Sequence, residues 1–380
     1  MPVTLASLRR FAVTRSLATP TSLERAIERL GFVQADPIRA PARAQDLTLR
    51  QRVKGYRAGD LERLYPTLAI EEDTFINYGF VTRAVFELMH PRSGIGAWTS
   101  AQKRRTQDVL AFVRERGAVH PKDVDREFSH GSVTNYWGGS SNATTHLLDL
   151  MHYRGLLRVA GRQDGIRTYA AREPLARSPS AADGPERAER TRAGSDRVDR
   201  LVDVLVRKYA PLSARSLAIV VRRLRYAAPQ WHADLDGALA RARARLSRGR
   251  VGDLDWFWPT EESFDTVSVP EGVRLLTPFD PVVWDRNRFE QLWGWEYRFE
   301  AYTPVAKRVR GYYALPLLWR DRVIGWANAA VKEGVLQIAA GYVSAGPPRD
   351  RGFQSALEEE IERLRMFLNL PGADTRRHRA

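Results

Sequence analysis

The chain has no cysteine, which removes disulfide frameworks, thiolate metal sites and cysteine nucleophiles from consideration. It also lacks long apolar runs. No stretch approaches the roughly 18 uninterrupted apolar residues of a membrane-crossing helix, and the start, MPVTLASLRRFAVTR, has no apolar run of the secretory kind. Walker loops, GxGxxG after a strand, HExxH and GxSxG are absent too, so nucleotide binding, zinc hydrolysis and the usual serine-hydrolase plan have no support. Lysine is scarce: only six of the 60 basic residues are Lys, an arginine skew that a GC-rich genome produces without selection for binding. The seven His are scattered, and His130, His146 and His152 lack acidic partners at ligand spacing; no metal site is expected.

What remains is a chain of 380 residues, 43% hydrophobic, enough for about two to four domains with sizeable cores. A net charge of +15 and a pI near 10.3 survive the discount for arginine usage. The surface therefore carries a sustained positive field, and polyanions head the expected partners. The reading is of a soluble cytoplasmic, nucleoid-associated monomer with no membrane partner.

Hydrophobic periodicity and turn residues suggest an order of elements. Thr21 and Glu24 have capping-box spacing ahead of Leu23, Ile27 and Leu30, with Gly31 as a stop. Residues 56–98 read as mostly helical, broken at Pro66 and Pro91. From Thr99 to Tyr169 the text reads helix to about Arg116, short helix from Pro121 to Phe128, helix from Asn142 to Tyr153, then a hairpin turning at Gly161–Gly165. Three helices and a hairpin are the winged-helix plan, a helix-turn-helix variant. Residues 196–246 repeat the three-helix cadence, with SRGRVGDLDWFW where a wing would follow. The stretch 172–195 lacks aromatics and periodicity and reads as a linker or exposed loop. From 264 to 343 strand-like runs alternate with turns at Arg320-Asp321 and Glu333-Gly334, then an amphipathic helix runs from Arg351 to Leu368 before a frayed tail.

The segment Phe32-Val33-Gln34-Ala35-Asp36-Pro37 carries the chemistry. Pro37 pushes Asp36 toward extended backbone, and in an extended segment the side chains of Gln34 and Asp36 lie on one side. A carboxylate beside an amide suits hydrolysis through a cationic sugar: the carboxylate activates water and the amide fixes water or sugar. The alternative is structural, with Asp36 as an N-cap ahead of Pro37 at the first helical position.

In its surroundings, GFVQADPIRAPARAQDLTLRQRV resembles the signature of the bacterial winged-helix DNA glycosylases, the AlkZ/YcaQ-like family, whose catalytic motif is Gln-x-Gln or Gln-x-Asp. NATTHLLDLMHYRGLLRVAGRQDGIRTYAA is similar to the family's second winged helix, and PFDPVVWDR with YTPVAKRVRGYYALP to its C-terminal β domain. The resemblance spans roughly residues 5–345 and implies an α+β architecture of tandem winged-helix domains followed by an antiparallel β domain and a terminal helix. The expected segments are 1–98, 99–171, a linker at 172–195, 196–262 and 263–380. It implies hydrolysis of the N-glycosidic bond of alkylated purines in duplex DNA, crosslinked ones included, by a monofunctional enzyme without cofactor. Asp36 would activate water for attack at C1′, and Gln34 would hold that water or the deoxyribose. Where the family has Arg-Ala-His, this chain has Arg43-Ala44-Gln45, and the family's Tyr-Trp-x-His block has no clear counterpart.

For DNA contact the candidates are Arg39 and Arg43, which would share one face of a helix starting at Pro37, Gln45, and the β-domain residues Arg286, Lys307 and Arg308. Trp284, Trp293, Trp295, Trp256 and Trp258 are expected in cores. Two rivals remain open: a non-enzymatic winged-helix DNA binder such as a regulator, and an RNA-binding protein.

Overall fold

The helix that precedes the candidate motif shows how local chemistry sets the frame. Leu23–Leu30 begins at Ser22, whose hydroxyl accepts the amide of Arg25, and ends at Gly31 in the left-handed region at φ 62°. The cap is thus Ser22 and not the expected Thr21. Glycine is required at this stop because the positive φ burdens any residue with a Cβ.

This computed structural model describes residues 3–17, 20–93, 96–129, 131–134, 140–173, 185–264, 271–344, 346–371 and 375–379. His130 and residues 174–184 of the expected linker lie outside them. The chain divides into two compact units, Met1–Leu61 with Asp203–Val220 and Leu239–Ala380, and Glu62–Val202 with Val221–Ala238. The helices Pro185–Tyr209, Ala214–Ala227 and Leu235–Arg245 each carry the chain from one unit into the other.

In the second unit, residues 99–171 follow the expected order. Helix Ser100–Arg116 is opened by a capping box between Thr99 and Gln102, helix Pro121–Phe128 by His120 and Asp123, and helix Ala143–Tyr153 by Asn142. Strands Leu157–Gln163 and Ile166–Ala171 pair antiparallel, and Ala118–Val119 joins the edge of the latter. Ahead of them, the expected mostly helical stretch 56–98 contains a hairpin, Ile70–Thr74 with Tyr78–Thr82. Its acidic sequence, IEEDT, hides a strand because the carboxylates are buried by ion pairing. Glu71 pairs with Arg172 at 2.9 Å, Glu72 with Arg162, and Asp73 with both Arg92 at 2.8 Å and His90 at 2.7 Å. Lone buried charges would be far too costly, so each arrives with a partner.

Pro185–Tyr209 corrects the linker reading: residues 185–195 are helical. Pro at the first helical position and a run of Glu, Arg and Ala favour helix without any apolar periodicity.

In the first unit, Val273–Leu275, Leu315–Trp319, Arg322–Lys332 and Val335–Tyr342 form an antiparallel meander. Its reversals fall at Arg320 (φ 56°) and at Glu333-Gly334 (φ 52° and 75°), where the sequence placed them. The sheet is not wholly antiparallel and the tail is not loose. Thr375–Arg379 adds beside Val335–Tyr342 as a parallel strand, pairing an edge that would otherwise stand open. Helix Arg351–Phe367 is held on this sheet through buried Glu360, which accepts from the Leu275 amide at 2.8 Å and pairs with Arg50. The core behind the site joins Val13 and Leu17 to Leu276, Val282, Val283, Phe289, Trp295, Tyr297, Ala314 and Leu318.

Candidate active site

The site lies in the first unit, where the segment after Gly31 meets PFDPVVWDR. Strand Phe32–Gln34 is buried throughout. The amine of Lys208, itself buried, donates to the Phe32 carbonyl, and burial holds that amine well below the usual lysine range. At the other end of the strand, the Trp284 indole donates to Gln34 Oε1 at 2.9 Å. An indole nitrogen can only donate, so it fixes which end of the Gln34 amide carries the oxygen.

The aromatic anchor is placed by its own motif. Asp280 is fully buried and receives the Arg52 guanidinium on both oxygens, at 2.7 and 3.0 Å, while its Oδ1 accepts the Val282 amide at 3.0 Å. Asp285 caps helix Arg286–Trp293 by accepting the amides of Asn287 and Arg288. Trp284 sits between these two fixed carboxylates, with its ring 5.0 Å from that of Tyr209. Two sequence motifs therefore interlock twice, through Arg52–Asp280, 228 residues apart, and Gln34–Trp284, 250 apart.

Asp36, two residues beyond Gln34, is half-buried. Its Oδ1 accepts the Ile38 amide at 2.9 Å, its own amide faces Gln45 Oε1 at 3.5 Å, and Oδ2 has no hydrogen bond among the described residues. Burial raises its pKa above the usual aspartate value, and the Ile38 amide opposes that shift without cancelling it. The Asp36 charge is also felt by Tyr313, whose phenol is pushed up by burial and by that carboxylate while it shares a hydrogen bond of 3.1 Å with Thr277. No helix begins at Pro37: the next helix is Ala44–Leu49, so Asp36 is no helix cap.

The expected DNA-contacting residues separate into two groups. Arg39 and Lys307 are exposed and have no carboxylate partner among the described residues. Arg43 is half-buried at the N-cap of Ala44–Leu49, not one helical turn from Arg39. Gln45 is 1% exposed and turned to the Asp36 amide, which corrects its expected role as a surface contact. Arg286 donates to the Val283 carbonyl and stacks on Tyr297 at 4.6 Å, an internal role. Arg308 donates to the Thr303 carbonyl at 2.8 Å and lies over Tyr312 at 5.1 Å. Trp295 and Trp256 are core residues as expected, but Trp284 is a site residue. The indole beside a buried amide is invisible in sequence because its partner lies 250 positions away.

The DNA glycosylase AlkZ-like family model matches residues 27–367, and the chain belongs to that family, which acts in DNA repair. Its fold is similar to that of the Streptomyces sahachiroi DNA glycosylase AlkZ, with a TM-score of 0.63 over 99% of this chain and 100% of that one, at 13% identity. Among the described residues no group of three or more His, Asp or Glu is disposed to hold a metal, and no helix is long and apolar enough to cross a membrane.

Proposed function

We propose that the protein hydrolyses the N-glycosidic bond of alkylated purines in duplex DNA as a monofunctional glycosylase, with Asp36 as general base and Gln34 as the group that positions water or deoxyribose. In this reading the helix-helix-helix-hairpin runs at 99–171 and 185–258 act as winged-helix modules along the duplex, and the β domain supports the catalytic strand. The observation that carries the reading is the state of Asp36. One oxygen is fixed by the Ile38 amide, the other is left without a hydrogen bond among the described residues, and burial raises the pKa. A capping carboxylate would spend its oxygens on amides and have its pKa lowered, so the same observation favours the enzyme over the non-enzymatic binder.

The chemistry follows from charge. An N7-alkylated purine is cationic and leaves as a neutral base, taking the glycosidic electron pair. The sugar becomes oxocarbenium-like, water adds at C1′, and its proton passes to Asp36 Oδ2. The carboxylate also stabilises the cationic sugar across a partly desolvated gap. Gln34, locked by Trp284, needs no reorganisation during the reaction.

The test is incubation of wild type and Asp36→Asn with duplexes holding either N7-methylguanine or an N7-linked interstrand crosslink, scoring alkali-labile abasic sites. Release by wild type, with a loss of about 10²–10⁴-fold in the variant at equal duplex affinity, is the expected result. Tight duplex binding with no release from either substrate would move the assignment to the non-enzymatic binder.

A further inference from the structure

The loop between Glu300 and Tyr313, in the same unit as the site, displays apolar side chains that folding does not use. Tyr302 is 80% exposed, Val305 and Val309 are each 76% exposed, and Tyr312 is 44% exposed. A scattered exposed apolar residue needs no explanation, but four within eleven residues do.

The loop is held in this display by polar groups beneath it. Buried Glu300 accepts the amides of Val309, Arg310 and Gly311 at 3.0, 2.8 and 3.1 Å. Asn328 donates to the Arg310 carbonyl at 2.7 Å. Gly311 has a φ of +112°, and a Cβ there would stand 2.4 Å from Asn328. Three amides on one carboxylate oxygen are a strong constraint, so the valines are presented on a built platform. The platform's aromatic base, Phe299, meets Phe279, Tyr302 and Tyr313, and Tyr313 is the residue that feels the Asp36 charge.

We propose that this loop is a wedge that enters the duplex at a base step next to the target nucleotide, with Val305 and Val309 against the bases and Lys307 on a flanking phosphate. The assignment rests on the glycosylase reading above. Its occupant is double-stranded DNA because the apolar tip is interleaved with Lys307 and Arg308, neither of which has a carboxylate partner among the described residues. An apolar tip flanked by cations is the composition that unstacks a base step while the cations hold the backbone. A protein partner matched to the same surface would need carboxylates around an apolar socket.

The test uses a duplex carrying a tetrahydrofuran abasic analogue with 2-aminopurine as the next base, titrated to saturation. Wild type should raise the 2-aminopurine emission several-fold on binding. Val305→Ser/Val309→Ser, which disturbs no packed ring, should leave emission near that of free duplex. It should also slow single-turnover release of N7-methylguanine by about tenfold, equivalent to about 1.4 kcal/mol. Adding Tyr302→Ser should deepen the loss. Equal emission and equal rates in wild type and the double variant would overturn the wedge and leave the glycosylase standing. Failure of wild type to release base at all would instead refute the underlying reading. A wild-type dimer that the double variant converts to monomer in sedimentation would assign the loop to a second copy of the chain and overturn the proposal.

Discussion

Asp36→Asn separates a functional carboxylate from a structural one by the sign of its effect on stability. Asparagine is nearly isosteric and its Oδ1 can still accept the Ile38 amide, so the turn is kept and only the charge is removed. Because burial raises the folded-state pKa above the unfolded value, the wild-type carboxyl costs nothing when protonated. Its cost grows as pH rises from about 4, the unfolded value, through the folded pKa, and then levels off. The variant should therefore equal wild type near pH 3 and be the more stable at pH 7. Solvent screening of a half-exposed group limits the gain to about 1 kcal/mol or less, or about 1 °C in melting temperature for a chain of this length. Thermal melts of both proteins between pH 3 and 8 measure it, alongside the activity loss at pH 7. A variant less stable than wild type at pH 7, with the gap closing as pH falls, would mean that the carboxylate is held by favourable contacts. Asp36 would then be a structural carboxylate and not a poised base.

The same raised pKa predicts the acid limb of the rate. Log kcat/KM should fall below an apparent pKa higher than the ordinary aspartate value of about 4, and a limb absent down to pH 4 contradicts Asp36 as base. Trp284→Phe keeps the packing against Tyr209 but leaves Gln34 Oε1 without the indole; it should cost about 1 kcal/mol in stability and lower kcat more than it raises KM. Gln45→Leu removes the acceptor facing the Asp36 amide, and we expect slower base release with duplex Kd unchanged, the reverse of the pattern for a DNA-contacting glutamine. Lys307→Gln should reduce the slope of log K against log salt by about 0.9, the value for one phosphate contact, measured by anisotropy across a salt titration.

Much of the frame is legible without coordinates. Gly31 stops a helix, and Arg320 and Glu333-Gly334 reverse strands, each through local sterics that depend only on neighbouring residues. The amphipathic helix 351–367 and the capped helices of 100–153 follow from periodicity and cap chemistry of the same short range. The hairpin at Ile70–Thr82 escaped for the opposite reason: Glu71, Glu72 and Asp73 belong on a surface unless Arg172, Arg162 and Arg92 come to meet them.

The candidate site divides along the same line. The types and order of Gln34 and Asp36, and the net positive charge, are properties of the sequence by itself. That Trp284 orients Gln34, that Gln45 faces inward and that Arg286 is spent on Tyr297 are decided only by tertiary structure. Side-chain hydrogen bonds are satisfied by whichever group packing brings within about 3 Å, and for Gln34 the chain that supplies that group lies 250 residues away. Even the raised pKa of Asp36 is a product of burial, a quantity that no residue carries alone.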